Sequence, residues 1–266
     1  TLSFREKIEL AKLLDKVNVS VIETGRIENK KTDSLLIKSI ASAVKHSTLA
    51  VPVTLSEPES IEITWNALKE AAFPRLQVVA PVSTVQMEYF CHKKPAAVLQ
   101  SVKEMIKLCK DKGCEVEFVA EDASRSESEF LREAIGAAIE AGANVITVCD
   151  SAGTMLPEEF SESIKDIRSC IPEGISLGVR CSNALYMADS CAMAAIRAGA
   201  DEVKTAACGE MTTSLDKFTK ILHAKGDECG ASCSVRATEI KRTVDQIRWM
   251  CETQRSKSSP FDNGVQ

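Results

Sequence analysis

A repeat of a short apolar strand followed by a helix constrains the fold of this chain more than any other feature. The strands recur every ~25 to 40 residues, which is the spacing of βα units. Because they are continuous apolar runs rather than alternating ones, they indicate a parallel sheet buried on both faces. The predicted strands are Val19–Thr24, Thr48–Leu55, Arg75–Val82, Cys114–Val119, Asn144–Cys149, Ser176–Val179 and Glu202–Ala206. The predicted helices are Phe4–Lys16, Asp33–Lys45, Glu59–Ala71, Pro95–Lys112, Glu127–Glu140, Glu158–Ile167, Tyr186–Arg197 and Leu215–Lys225.

Two kinds of signal mark the helix boundaries. Ser3 and Glu6 have the spacing of a capping box, in which each side chain bonds the backbone amide of the other residue. Gly113, Gly142 and Gly199 each follow a helix and precede a strand. Glycine at such a place predicts a left-handed residue that ends the helix.

The order of elements separates two α/β architectures. A doubly wound sheet could hold this many strands, but the chain has no G-x-G-x-x-G turn of the kind that binds a dinucleotide there. A series that starts with a helix fits a (βα)8 TIM barrel with strand 1 missing from the numbered chain. Residues 1–230 are predicted to form this barrel. Residues 231–266 are predicted to form a short helical appendage, with a helix over Ala237–Arg255 and a polar tail over Ser256–Gln266.

The composition excludes several classes of protein. A net charge of -5 and an aromatic content of 5% argue against nucleic-acid binding, and no apolar run is long enough to cross a membrane. The 11 cysteines are an odd number scattered through strands and helices, which indicates thiols in a cytoplasmic protein rather than a disulfide framework. Cys229 and Cys233 are too isolated from other ligands to predict a zinc site.

In a barrel of this kind the active site lies at the carboxyl ends of the strands. Carboxylates dominate the middle strands there, and one arginine stands near the end of the run at Ser176–Val179, so a small polar or anionic metabolite could bind. Polar rim residues or ion pairs are an equal alternative, since barrel ends are polar in any case. The residues at these ends are Glu23, Leu55, Gln77, Ser83, Glu121, Asp122, Asp150, Ser151, Arg180, Ser182, Asn183 and Cys208.

Histidine and lysine chemistry have little support. His46, His92 and His223 form no H-x-H or H-x-x-x-H pair, so a histidine metal site or a triad is not expected. Lys204 could form a Schiff base if it were desolvated in the barrel, but an ion-paired or solvated lysine is the commoner case. Alternation along the strand leaves its direction open.

Several motifs resemble the isopropylmalate synthase and homocitrate synthase family, part of the DRE-TIM metallolyase superfamily. The resemblance covers nearly the whole chain in order and is most specific around the fourth and fifth predicted strands, where Val116–Ser126 reads VEFVAEDASRS and Val145–Gly153 reads VITVCDSAG. Further matches are Leu156–Phe160, Val21–Gly25, Trp65–Lys69 and Ala198–Val203.

The resemblance implies a (βα)8 barrel that is usually dimeric, often followed by small helical subdomains, in a transferase of amino-acid biosynthesis. Its members condense an acyl-CoA with a 2-oxo acid, which a divalent metal holds and polarises. The metal ligands in the family are an aspartate on its first strand, two histidines of an H-x-H on its seventh strand and an asparagine in a glycine-rich loop after its eighth.

This sequence departs from the family at each ligand that can be compared. The histidine positions hold Arg180 and Ser182, and the loop that begins at Cys208 is shorter and lacks the Gly-Asn pair. Leu55 stands where the family has an arginine, and Gln77 where it has a histidine. Because arginine cannot ligate a metal and serine is a poor substitute for imidazole, a degenerate metal site is predicted, with no bound cofactor. A site of three thiols, from Cys149, Cys181 and Cys208, is not expected, because alternation turns Cys181 away from its neighbours.

Three readings of function follow. The first is a synthase-like protein whose ordinary metal-dependent activity is lost or altered, a pseudoenzyme candidate that binds a small 2-oxo acid or related carboxylate independently of a metal. The second is a working acyltransferase with an unusual site, which takes an acyl-CoA and uses strand 1 residues outside the numbered chain. The third is a non-catalytic partner or regulator of an active paralogue. Arg180 either pairs with Glu121 or Asp150 or grips a substrate carboxylate. The resemblance makes Glu121 the predicted catalytic residue, because it matches the family's catalytic glutamate. The predicted substrate-binding residues are Glu23, Gln77, Asp150, Ser151, Arg180, Ser182 and Asn183.

Overall fold

The computed structural model describes residues 2–256 of the chain. Its strands are β1 (Val21–Glu23), β2 (Thr48–Val53), β3 (Pro74–Pro81), β4 (Glu115–Glu121), β5 (Val145–Asp150), β6 (Ser176–Cys181) and β7 (Glu202–Val203). Its α-helices are α1 (Phe4–Lys16), α2 (Thr32–Ala43), α3 (Glu59–Leu68), α4 (Pro95–Lys110), α5 (Ser128–Ala141), α6 (Pro157–Ser169), α7 (Ala188–Arg197), α8 (Leu215–Lys225) and α9 (Ala237–Ser256).

The strands form one parallel sheet in which each strand pairs with the next, in the order β1 to β7. The sheet curls into a half-barrel with the helices between successive strands, so the TIM-barrel-like fold is confirmed. Its inner and outer faces are both buried, as β5 illustrates, because every residue of this strand is buried. In the described part of the chain, β1 and β7 are the two edges, and neither has a partner strand on its outer side.

The two edge strands are shorter than predicted, whereas β4, β5 and β6 reach further toward the carboxyl edge than predicted. β7 keeps only two residues because it pairs with one neighbour, although Lys204 N still donates to Val179 O at 2.9 Å. β4 runs on to Glu121 and β5 to Asp150, so these two carboxylates are the last residues of their strands. Gln77 is different, because it lies in the middle of β3, and its expected place at a strand end is wrong.

The predicted helix signals are confirmed. Ser3 Oγ accepts from Glu6 N at 3.4 Å, and Glu6 Oε2 accepts from Ser3 N at 2.7 Å, which completes the capping box of α1. Gly142 ends α5 at a φ of 107°, and Gly113 and Gly199 also have positive φ. These left-handed residues turn each helix back toward the next strand.

Helix α9 packs against α1 and α8, on the side of the molecule where the sheet is open. Arg236 N donates to Val17 O at 3.0 Å just before α9 begins, and Val244 and Ile247 are fully buried. Ser256, which was expected to begin the polar tail, is instead the last residue of α9, and the rest of the predicted tail lies outside the described residues. No helix within residues 2–256 is both long and apolar enough to cross a membrane.

Candidate functional site

An arginine and a glutamate form the centre of the carboxyl edge. Arg180 lies near the end of β6, and its Nη2 group donates to both carboxylate oxygens of Glu121, at 2.7 and 2.6 Å. Ser151 Oγ donates to Glu121 Oε2 at 2.9 Å and accepts from Asp122 N at 3.0 Å. The carboxylate of Glu121 is therefore held by three hydrogen bonds from the two strands that follow β4.

Arg180 is partly open to solvent. Its side chain is 34% exposed and that of Glu121 is 20% exposed, so solvent reaches both side chains of the pair at the carboxyl edge. Burial alone would lower the pKa of Arg180, but the neighbouring Cys149 and Glu121 raise it above its usual range. The guanidinium is thus a permanent cation, and no hydrogen bond among the described residues uses its Nε or Nη1 groups.

A second carboxylate, that of Asp122, lies beside this pair and is bound by neighbouring side chains. Asp122 is buried in a left-handed conformation, with a φ of 60°. Arg125 bonds both of its oxygens, and Ser83 Oγ donates to Oδ2 at 2.5 Å. A non-glycine residue in this conformation is strained, so these contacts hold the turn after β4 in place.

Asp150, Ser182 and Asn183 bind the neighbouring loops to one another. Asp150 is 3% exposed, and its Oδ1 accepts from Ser124 Oγ at 2.6 Å and from Gly153 N at 3.1 Å. Asn183 Nδ2 donates to the carbonyl of Glu210 at 2.9 Å, while Ser182 Oγ makes a longer contact of 3.4 Å with the carbonyl of Met211. These side chains organise the loops around Arg180.

Gly153 is the point at which the loops after β5 and β6 approach most closely. It has a φ of 65°, and a Cβ there would lie 2.8 Å from the carbonyl oxygen of Ser182. Glycine is therefore required for both conformation and space. The glycine that ends the VITVCDSAG motif therefore has a structural explanation.

The interior of the half-barrel contains a second polar network centred on Glu117. This carboxylate is fully buried and accepts from Gln77 Nε2 at 2.8 Å, from Thr147 Oγ1 at 2.7 Å and from Lys204 Nζ at 2.8 Å. Burial alone would raise the pKa of Glu117, but the charge of Lys204 and these hydrogen bonds hold it below its usual range. Glu117 is therefore an ionised, fully paired group.

Lys204 points into the barrel and ties its two edges together. It pairs with Glu117 and with Glu23 at the end of β1, and Gln77 Nε2 also donates to Glu23 at 2.8 Å. Burial would lower the pKa of Lys204, but Glu117 and Glu23 raise it. A Schiff-base lysine needs a lowered pKa, so the ion-paired alternative is the one that the structure supports.

Arg75 crosses the amino-terminal end of the interior. Its Nη1 and Nη2 groups bind both oxygens of Glu202, at 2.8 and 2.9 Å, and its Nε donates to Glu115 at 2.6 Å. Burial would lower the pKa of Arg75, but Glu202 and Glu117 raise it further above its ordinary value. The two bonds from Arg75 to Glu202 therefore link β3 to β7 across the interior of the half-barrel.

A cavity of about 880 Å³ lies between the two sheet edges. Ile22 of β1, Val203 of β7 and Phe218 of α8 contribute to its apolar wall. Glu23, Arg75, Arg180 and Lys204 also line it, so it connects the interior network with the carboxyl edge. Gln77 Oε1 is the buried polar side-chain atom that finds no hydrogen-bond partner among the described residues.

The predicted site residues therefore separate into two groups. Glu121, Ser151, Arg180, Ser182 and Asn183 lie at the carboxyl edge with Asp150, and Glu23 and Gln77 belong to the interior network. Sequence reasoning missed Arg75, Glu117, Thr147 and Glu202. A sequence pattern could have identified them, because polar residues two positions apart in an otherwise apolar strand point to the same face of the sheet. Arg75 with Gln77 and Glu115 with Glu117 show this pattern.

The donors at this edge do not suit the divalent cation that the family resemblance implies. A guanidinium stands at Arg180 and a hydroxyl at Ser182, and residues 2–256 contain no cluster of three or more histidine, cysteine or acidic side chains with the geometry of a metal site. The three thiols considered above point apart. Cys149 is fully buried beside Arg180, Cys181 is buried on the other face of the sheet, and Cys208 lies against Cys251.

Residues 1–246 match the model of the HMGL-like family. The chain is 30% identical over 252 residues to a 2-isopropylmalate synthase of Bacillus pumilus, covering 92% of this chain and 48% of that protein. It is 34% identical over 249 residues to a 2-isopropylmalate synthase of Listeria innocua, covering 91% of this chain and 48% of that protein. The chain thus spans about half the length of the curated relatives that it matches.

Solved structures share the fold at low sequence identity. An HMG-CoA lyase of Bacillus subtilis superposes with a TM-score of 0.79 at 13% identity, covering 95% of this chain and 87% of that chain. The carboxyl transferase domain of Rhizobium etli pyruvate carboxylase, as the Y628A variant with pyruvate, has a TM-score of 0.72 at 13% identity and covers 96% of this chain and 44% of that one.

Proposed function

Because this chain belongs to the HMGL-like family, we propose that it binds a small 2-oxo acid, or a related carboxylate, at the carboxyl edge through Arg180. A guanidinium recognises a carboxylate with two parallel N–H···O bonds, which gives geometric specificity as well as affinity. Nothing in this binding requires a metal ion. The same site in a working synthase would hold the oxo acid on a divalent cation, as the family resemblance implies.

The observation that supports this proposal most strongly is that Arg180 binds Glu121 through one of its three side-chain nitrogens. One nitrogen, Nη2, makes both contacts with Glu121, so the other N–H groups of the guanidinium are left to bind a ligand. The side chain is 34% exposed and borders the cavity between the sheet edges, so a small acid can reach it. A guanidinium used on one side only is a suitable receptor for a carboxylate.

The affinity is expected to be low. Glu121 already offsets the charge of Arg180, and a bound carboxylate would place a second negative charge near Glu121. A dissociation constant on the order of 1 mM corresponds to about 4 kcal/mol of binding free energy, which two charge-assisted hydrogen bonds can supply.

The same pair argues that the condensation chemistry of the family is lost or altered. Glu121 stands at the family's catalytic glutamate, but Arg180 and Ser151 occupy both of its oxygens. The cation of Arg180 also opposes a second cation at the same place. The carboxyl edge therefore suits recognition of an acid better than activation of its carbonyl, whether or not an acyl-CoA also binds. A homodimer, as the resemblance implies, is part of the same proposal.

Isothermal titration with a panel of 2-oxo acids, in buffer that contains a chelator, tests the proposal. We expect saturable heat with at least one small acid, and loss of ~10-fold or more in affinity for Arg180→Ala. Arg132→Ala is the matched control, because Arg132 pairs with Asp166 on the outer helices and lies away from the site. The control should bind like the unchanged protein.

Two results would contradict the proposal. One is the absence of heat with every acid of the panel, and the other is equal affinity in the unchanged protein and Arg180→Ala. Either would leave the Arg180–Glu121 pair as an internal ion pair of the fold. Co-purification with an active synthase would then favour the role of a non-catalytic partner.

A further inference from the structure

Two cysteine thiols lie next to each other where helix α9 meets the loop after β7. Cys208 follows β7, and Cys251 lies near the end of α9, 43 positions further along the chain. Their Sγ atoms are 3.0 Å apart, and both residues are half-buried. We propose that these two thiols are a reversible oxidation site, at which a disulfide forms between α9 and the loop after β7.

The geometry distinguishes this pair from the other cysteines. The two sulfurs are only about 1 Å further apart than in a covalent disulfide, so a small side-chain movement closes the bond. By contrast, the sulfur of Cys170 contacts oxygens of Ser169 and Asp166, and that of Cys229 contacts the carbonyl of Lys225. Burial raises the pKa of Cys109 and Cys149 to about 12, so those two thiols are poor nucleophiles.

The surroundings hold both partners in position. Arg248, one turn before Cys251, donates to Asp216 at the start of α8 at 3.0 Å. The loop that begins at Cys208 is held at its far end, where the carbonyl of Thr213 accepts from Ala206 N and Thr212 Oγ1 donates to the carbonyl of Cys181. Because the loop and the helix are each fixed independently, the entropy cost of bringing the thiols together has largely been met by folding.

The oxidation takes place by thiol–disulfide exchange with a small-molecule disulfide. One cysteine loses its proton and attacks a sulfur of that disulfide, which forms a mixed disulfide and releases one small thiol. The second cysteine then attacks the protein sulfur of the mixed disulfide and releases the second small thiol. The two cysteines together lose two protons and two electrons, and the small disulfide gains them.

The bond would affect the proposed binding site through the loop. The carbonyls of Glu210 and Met211, in the same loop, accept from the side chains of Asn183 and Ser182. A covalent link at Cys208 would therefore restrain the segment that packs against the end of β6. It would also fasten α9, whose contacts are with α1 and α8.

The test uses the full, reduced chain in mixtures of oxidised and reduced glutathione, followed by alkylation and peptide mapping by mass spectrometry without reduction. We expect a peptide pair linked through Cys208 and Cys251, in ~10-fold excess over glutathione adducts at the exposed Cys91 and Cys170. Dithiothreitol should reverse the link. The linked chain should also be cut more slowly by protease between α8 and α9.

Single variants distinguish the pair from general thiol reactivity. Cys208→Ser should abolish the link and leave a glutathione adduct on Cys251, and Cys251→Ser should do the reverse. Cys229→Ser is the matched control, because Cys229 is also half-buried but its sulfur contacts a carbonyl, and it should leave the link unchanged. Glutathione adducts at the exposed cysteines without a link between residues 208 and 251, or a link that forms only in denaturant, would overturn the proposal.

Discussion

The Nη2 group of Arg180 donates to both oxygens of Glu121, at 2.7 and 2.6 Å, across the carboxyl ends of β6 and β4. One nitrogen thus binds both oxygens of the acid that the family resemblance implies is catalytic. The pair places a fixed positive charge at this edge of the sheet. In the proposed binding of an acid, Glu121 would compete with the ligand for Arg180.

This competition predicts that Glu121→Gln binds the 2-oxo acid more tightly. Removing the competing negative charge should contribute about 1 kcal/mol, which corresponds to an affinity ~5-fold higher. Calorimetry in chelator measures it, with Glu129→Gln on the outer helix α5 as the control for loss of one acidic residue. Weaker binding by Glu121→Gln would show that Glu121 contacts the ligand favourably, contrary to this account.

The buried pair of Lys204 and Glu117 predicts a large effect on stability. Lys204→Ala leaves Glu117 charged and buried with Arg75 Nη1, at 3.4 Å, as its remaining cationic partner, and it should lower the free energy of unfolding by about 2 kcal/mol. Urea denaturation measures the change. Lys220→Ala, at an exposed position of α8, should change the free energy by less than about 0.5 kcal/mol.

The double variant Glu117→Gln with Lys204→Ala checks the reason for that loss. If the cost comes from an uncompensated charge, the double variant should be more stable than Lys204→Ala alone. Additive losses would instead indicate that each side chain contributes through packing. An unfolding midpoint for Lys204→Ala equal to that of Lys220→Ala would contradict the buried ion pair itself.

Acid should weaken the same network. The pKa of Glu117 is lower in the folded chain than its ordinary value of 4.5, so its ionised form stabilises the fold above about pH 4.5. That contribution is lost as the pH falls through the folded pKa. The difference in unfolding free energy between the unchanged protein and Glu117→Gln should therefore be full at pH 7 and shrink below pH ~4.5. A difference that stays constant down to pH ~3 would show that the carboxylate charge is not involved.

Two glycines should respond to alanine with opposite signs. Gly153→Ala forces a Cβ to within 2.8 Å of the Ser182 carbonyl at a φ of 65°, so it should destabilise the fold by about 1–3 kcal/mol. Gly136→Ala, inside α5 with open space around the new Cβ, should stabilise it by about 0.5–1 kcal/mol. The midpoint of thermal unfolding, measured for both variants, checks the two opposite changes in stability. A stabilised Gly153→Ala would contradict the close approach of the two loops.

The fold could be predicted from sequence because its signals are local. The apolar runs, the capping box of Ser3 with Glu6 and the glycines after α4, α5 and α7 each depend on neighbouring residues. The parallel order of strands follows from the length of the βα units. The bounds of β1 and β7 were less predictable, because the ladder at a sheet edge depends on partners on one side only.

The site was predicted less completely because its contacts join residues that are far apart in the chain. Arg75 and Glu202 are separated by 127 positions, and Lys204 and Glu23 by 181. Alternation along a strand could not decide the direction of Lys204, since the short β7 ends just before it. The Arg180–Glu121 pair was one of two ion pairs considered, and the structure places Asp150 with Ser124 and Gly153 instead.

The most direct test of the account is the affinity of the unchanged protein for its best 2-oxo acid, measured by calorimetry with chelator and again with saturating Mg²⁺ or Zn²⁺. Because Arg180 supplies the positive charge, we predict dissociation constants that agree within about twofold under the three conditions. Binding that appears only with the metal, or that becomes ~10-fold tighter with it, would show that a cation holds the acid and would contradict the account.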